Sequence, residues 1–174
     1  SEYTRLDYLG KIPAVVSSGA LDMVNFASPD TIPQQYANRT FIRHGIATTL
    51  MRTSADELKQ VAEFISRKAH NASNCRLILP SYGFSSYDNE GNEFYNSDAD
   101  FVFMNTLSSL CKNVKIVPMH INDPGFASLT VDTVFNLFAV DRTFSFFKRI
   151  SLFKNSHFVI RFFLHQLICC KNPS

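Results

Sequence analysis

The sequence has none of the short signatures that usually announce a reaction. It holds no G-x-G-x-x-G and no Walker pattern, which excludes a self-contained dinucleotide or P-loop phosphate cradle. Gly83-Phe-Ser85-Ser-Tyr87 fails the G-x-S-x-G nucleophile elbow at its last position, and no catalytic triad is recognisable. The four cysteines, Cys75, Cys111, Cys169 and Cys170, lack C-x-x-C spacing, and the first two fall in apolar surroundings where a reduced, buried thiol is the common outcome. No metal is expected, because His44, His120 and a carboxylate would have to meet and nothing in their spacing demands it. The chain starts at Ser1 without the basic, apolar and small-residue order of a targeting segment, so a cytoplasmic fragment or processed product is the expectation. Asn38-Arg-Thr and Asn71-Ala-Ser match the glycosylation sequon, but without a signal peptide the match carries little weight.

Acidic residues are also missing from one end. All 15 lie at or before Asp141, with 11 of the 17 Lys and Arg, a net charge of −4; the remainder carries six basic residues and no acid. That remainder also holds seven of the 17 phenylalanines. Its apolar run from Phe158 to Cys170 is broken by Arg161 and His165 and is shorter than the roughly 20 residues needed to cross a bilayer. Two readings stay: a basic aromatic segment lying on an anionic membrane, or a chain end foreign to the fold. The lack of any sustained helical or alternating pattern favours the second, and a membrane-surface role is not expected. The expected division is an α/β domain over 1–138 and a basic, Phe-rich tail over 139–174.

At 45% hydrophobic, the chain is long enough to bury one core. Ile12 to Val16 is β-branched and too short for a helix, which fits a strand covered on both faces. A turn follows at Ser17-Ser18-Gly19, then an irregular stretch as far as Arg39, with a short strand at Thr40 to Arg43. Ser54-Ala-Asp-Glu57 is a capping box, and Leu58, Val61, Ala62, Ile65 and Ala69 repeat at helical spacing behind it. Cys75 to Leu79 reads as a second buried strand, ended by Pro80. Ser97 is expected to cap a helix from Asp98 to Cys111 whose Phe103, Leu107 and Leu110 face inward. Val114 to Met119 reads as a third strand, and Asp123-Pro124 opens a last helix. This alternation predicts a layered α/β domain, Rossmann-like, with a mainly parallel sheet flanked by helices.

In such a sheet the sites gather at the carboxyl ends of the strands. The loops there are Ser17 to Asn25, Ser81 to Asp88 and His120 to Asp123, with His44 and Arg52-Thr53 beyond the short strand. Candidate ligand-binding residues are therefore Ser18, Gly19, Asp22, Asn25, His44, Arg52, Thr53, Asn122 and Asp123, and His120 is the candidate acid or base. Gly19 would allow a turn where a Cβ collides, and amides after it could face an anion. Asp22 and Asn25, three apart, share a side if Ala20 to Phe26 forms a helical turn; otherwise both cap a local turn. Arg52 before the capped helix suits a phosphate or carboxylate, or else pairs structurally with Asp22 or Asp30. Asp123 is either an N-cap or a partner of His120, and His120 either moves protons or fixes its turn. The exposed Lys59, Glu63, Arg67 and Lys68 form a solvated helix face, so no nucleic-acid partner is expected.

GALDMVNF at Gly19 to Phe26, DTIP at Asp30 to Pro33, LMRT at Leu50 to Thr53 and HINDPGFA at His120 to Ala127 occur in that order. Together they resemble the C-terminal domain of the tomato mosaic virus resistance protein-like (Tm-one-like) ATP-binding family. The match runs from about Arg5 to about Phe138. Ser81-Tyr82 departs from the charged or small pair usual in that family's loop. The resemblance implies a chain truncated at the N-terminus, half of a two-domain protein in which ATP would be held through an N-terminal domain absent here. It implies a small-molecule or nucleotide ligand, and leaves homo-oligomerisation open. A protein-interaction role is also implied, because the plant member restrains a viral replication protein. Against a non-catalytic ligand-binding domain stands an enzyme for a small carboxylate- or phosphate-bearing substrate, with His120 as acid or base, Arg52 as anion clamp and the Gly19 amides assisting.

Overall fold

The computed structural model describes residues 4–140; the tail from Asp141 onward lies outside them. Three parallel strands form the central sheet in the order β1 (Ala14–Val16), β5 (Cys75–Pro80) and β6 (Val114–Val117). Helices α1 (Ala55–Ala69) and α2 (Ser97–Leu110) cover one face and α3 (Pro124–Val140) the other. The two cores divide along each strand by the alternation of side chains. Val16, Leu77 and Leu79 pack with Leu58, Ile65, Phe103 and Leu107, whereas Val15, Ile78 and Val117 pack with Phe126 and Leu137 of α3. Burial on both faces is why β1 and β5 read as continuous apolar runs. The layered α/β fold expected from the alternation of elements is the fold observed.

A second sheet was not expected. β2 (Met23–Phe26), β4 (Thr49–Arg52) and β3 (Phe41–Arg43) form an antiparallel sheet in the order β2-β4-β3. Two corrections follow. Met23–Phe26 is a strand and not a helical turn, so Asp22 and Asn25 do not share a side. Leu50 to Arg52, for which no strand was expected, belongs to the fully buried strand β4. The intervening stretch is irregular as expected, with single 3-10 turns at Pro29–Thr31 and Gln34–Tyr36.

Local chemistry sets the helix ends. The Ser54 hydroxyl accepts from the Glu57 amide at 3.2 Å, while the Glu57 carboxylate accepts from the Ser54 amide at 2.7 Å. Glu57 also takes Arg39 at 2.6 Å, and Arg39 donates to the Arg52 carbonyl, so the N-terminus of α1 is tied to the second sheet. In α2 the cap is Asn96, not Ser97: its side chain accepts from the Ala99 amide at 3.0 Å. Phe103 and Leu107 face inward as expected, but Leu110, the last residue of α2, is 50% exposed. Among the described residues no helix is long and apolar enough to cross a membrane.

Because both halves of the α1 capping box are formed, Ser54→Ala is expected to cost about 1 kcal/mol of stability. A urea midpoint unchanged from the wild type would show that the box contributes nothing.

Candidate functional site

The carboxyl ends of β1, β4 and β5 meet around one buried guanidinium. Arg52, at the last position of β4, is 7% exposed. Its amino nitrogens donate to Asp100 at 2.7 Å, to the Asp22 carbonyl at 3.3 Å and to the Asn96 carbonyl at 3.4 Å, with Asp88 at 3.5 Å. The structural partners of Arg52 are thus Asp88, Asp100 and the backbone of Asp22, and Asp30 is exposed elsewhere. An arginine matched in this way is not free to clamp an anion.

Asp88 closes the loop after β5 upon itself. One carboxylate oxygen accepts from the Phe84 amide at 2.9 Å, and the Asp88 carbonyl lies where a side chain on Gly83 would go. A Cβ there would stand 1.9 Å from that oxygen, and Gly83 has φ +117, so only glycine fits. The turn after β1 has its positive φ at Ala20 (φ 58) rather than at Gly19, which corrects the expectation for that glycine. The Ala20 amide donates to the Phe84 carbonyl at 2.8 Å, joining the two loops.

Asp22 lies at the centre and is fully buried. Its carboxylate accepts from the Ser85 hydroxyl at 2.6 Å. Burial pushes its pKa up to about 6, and the nearby Asp88 adds to the rise while Arg52 opposes it. Asp88 is raised further, to about 7, first by burial and then by the charge of Asp100. Asp100 is raised as well by burial, against the pull of Arg52. Arg52 stands nearer to Asp100, at 2.7 Å, than to Asp88, at 3.5 Å, and so opposes the rise more strongly at Asp100.

His120, 8% exposed, follows β6. Its Nδ1 accepts from the Asn122 amide at 3.2 Å, which assigns the proton to Nε2, and Nε2 donates to the Ser85 carbonyl at 2.9 Å. Both nitrogens are occupied by backbone, so the ring fastens the loop after β6 to the loop after β5. Neither nitrogen is free for proton transfer. Asp123 reaches back to accept from the His120 amide at 2.7 Å.

Of the expected site residues, the fold gathers Ser18, Asp22, Arg52, Thr53 and His120 as buried groups, with Gly19 half-exposed at the rim. Asn25 points to solvent from β2, and Asn122 and Asp123 are exposed. His44 is exposed too and bonds the Tyr87 hydroxyl at 2.8 Å, outside the buried cluster. Asp100 went unnoticed in the sequence, and Ser85 and Asp88, though inside a loop named there, were not singled out as site residues. Asp100 had a signal: it precedes Phe103 and Leu107 by three and seven residues, an acid on the apolar stripe of its helix.

Several buried polar atoms here have no hydrogen-bond partner among the described residues: Ser17 Oγ, Ser18 Oγ, Asp22 Oδ1, Arg52 Nε and Thr53 Oγ1. A groove of about 440 Å³ exists at the other end of the sheet, between Cys75, Cys111 and Lys112, but none of these atoms belongs to its lining. Among the described residues no group of three or more His, Cys, Asp or Glu is arranged to hold a metal.

Two outcomes are expected from this network. Arg52→Met leaves Asp88 and Asp100 buried without their cation and should cost about 3–5 kcal/mol in urea unfolding. For pH, Asp22 and Asp88 bind protons more tightly folded than unfolded, so their contribution is present below about 4 and is lost as pH rises through 6 and 7. Asp7, bonded to Lys68, and Glu57, bonded to Arg39 against the opposing effect of burial, are lowered, and weaken the fold only in more acidic solution. The thermal midpoint should therefore fall by about 5 °C between pH 5 and pH 7.5, and Asp22→Asn should shrink that fall. A midpoint that rises over this window contradicts the buried-acid assignment.

Comparison with known proteins shows the family of the chain. The uncharacterised protein family (UPF0261) C-terminal domain matches residues 3–138. A UPF0261 protein of Mesorhizobium japonicum is 42% identical over 122 residues, covering 67% of this chain and 31% of its own. The ToMV resistance protein Tm-1(GCR237) of Solanum lycopersicum is 41% identical over 129 residues, 71% of this chain and 17% of that protein. A UPF0261 protein of Clostridium tetani is 37% identical over 131 residues, 72% and 32% of the two chains. The chain thus spans about a third or less of the length of these relatives. With the match covering most of its length, the chain belongs to the UPF0261 family and carries its C-terminal domain.

Proposed function

We propose that this domain binds a small polar molecule at the carboxyl ends of β1, β4 and β5, without catalysing a reaction on it. The observation that carries this reading is the concentration of buried, unpartnered polar atoms from Ser17, Ser18, Asp22, Arg52 and Thr53 at one end of the fold. Each such atom costs about 1–3 kcal/mol when left unsatisfied, so a protein that retains several together has a use for them. Strand ends of an α/β sheet are where ligands bind in such folds. A catalytic role has less support, because both nitrogens of His120 are held by backbone.

Association with ATP, in this reading, would need the parts of the relatives that extend beyond this chain. The chain alone is then a poor nucleotide binder, its one central cation being matched by carboxylates.

Thermal shift of the intact chain against a panel of small metabolites tests the proposal. At least one compound should raise the midpoint in a saturable way, and Thr53→Val should abolish its effect; ATP should produce no shift. A high-resolution crystal structure in which ordered waters satisfy every one of these atoms, together with no responding compound, would overturn it.

A further inference from the structure

The ligand's chemistry can be taken one step further, on the assumption that the strand-end site binds a small molecule. The β2–β4 register pairs Met23 with Arg52, and the Thr53 amide continues it by donating to the Asp22 carbonyl at 2.9 Å. Asp22 and Thr53 are therefore cross-strand neighbours with side chains on the same face. Ser18 joins them through the turn that its carbonyl closes with the Leu21 amide. Each of the three residues is more than nine-tenths buried, and each has an oxygen without a partner: Asp22 Oδ1, Thr53 Oγ1 and Ser18 Oγ. Arg52 alternates to the other face of β4, which separates its Nε from this trio.

Charge decides what the trio receives. Three buried carboxylates, Asp22, Asp88 and Asp100, surround a single guanidinium already bonded to two of them. Even with a proton on Asp88, ionised Asp22 and Asp100 together exceed the single positive charge of Arg52. A phosphate or carboxylate entering here would meet that charge with no free cation among the described residues to receive it. The Ser18 and Thr53 hydroxyls can accept as well as donate, so the charge of Asp22 and not a count of donors favours a cation. A primary ammonium group has three N–H donors and one positive charge.

We propose that Asp22 Oδ1, Ser18 Oγ and Thr53 Oγ1 form the seat for the ammonium group of a small primary amine. The two hydroxyls orient the group and the carboxylate neutralises it in a site with little water. Ser18 sits in a turn whose neighbours Ser17, Gly19 and Ala20 are only partly buried, the exposed side from which a small amine would enter.

Calorimetric titration of the intact chain with methylammonium chloride is the test, with tetramethylammonium chloride, sodium chloride and sodium phosphate as comparisons. Methylammonium should bind saturably and tetramethylammonium, which has no N–H, should not. Ser18→Ala and Thr53→Val should each weaken methylammonium at least tenfold. Affinity should also rise about tenfold from pH 5 to pH 7.5 as Asp22 ionises, with Asp88, Asp100, Arg52 and the Ser85-linked His120 as the other groups around it. Should a variant fail to fold, the wild type decides by NMR: contacts between the ligand methyl and Thr53 support the seat, and their absence overturns it. Equal effects from tetramethylammonium or sodium chloride would reduce the result to ionic screening and overturn the proposal. Phosphate binding that Thr53→Val removes would overturn the ammonium assignment and leave the ligand site standing. No response to these salts or to the metabolite panel would end both.

Discussion

A single guanidinium holds together segments that the chain order keeps far apart. Arg52 reaches the turn before β2, the loop after β5 and the first turn of α2 at once. A lysine could not do this, because a point charge on a flexible stem does not present donors in a fixed plane. Burying the ions costs about as much as their attraction returns, so the network's effect on total stability is smaller than its effect on placement. It sets where the antiparallel sheet sits against α2, and with it the position of Asp22. The capping box of α1 and the Arg39 contacts then hold the other end of the same strand-to-helix junction.

Much of this architecture was legible because periodicity and caps agreed. Ser54 and Glu57 marked the start of α1, and the apolar runs at Val15 and Ile78 marked strands covered on both faces. Of the antiparallel sheet only β3 was legible, as the short strand expected at Thr40 to Arg43. β2 and β4 are four residues long, too short for a period to show, and Asp22 with Asn25 at a spacing of three imitated a helical face. The left-handed position at Ala20 was assigned to its glycine neighbour, since sequence favours Gly19 and only the Phe84 contact places the bend one residue later. Leu110 obeyed the helical spacing yet lies exposed where α2 has run past the core.

The candidate site was half visible for a related reason. Loops at strand ends can be located from the order of elements, so Ser18, Asp22, Arg52, Thr53 and His120 could be named. What they do depends on partners from other segments. His120 resembles a proton carrier in isolation and becomes a fastener once the Asn122 amide and Ser85 carbonyl are placed at its two nitrogens. Arg52 resembles an anion clamp until Asp100, far along the chain, takes its charge.

The fastening by His120 has a mechanical side. Ser85 gives its hydroxyl to Asp22 and receives the imidazole on its carbonyl, while the amide of the same histidine is held by Asp123 at the head of α3. Asp22 and the first turn of α3 are thus joined by three short, directional links, although α3 packs on the opposite face of the sheet from α1 and α2. The buried carboxylate and the head of the seventeen-residue α3 are thereby tied into one hydrogen-bonded chain that runs across the thickness of the domain.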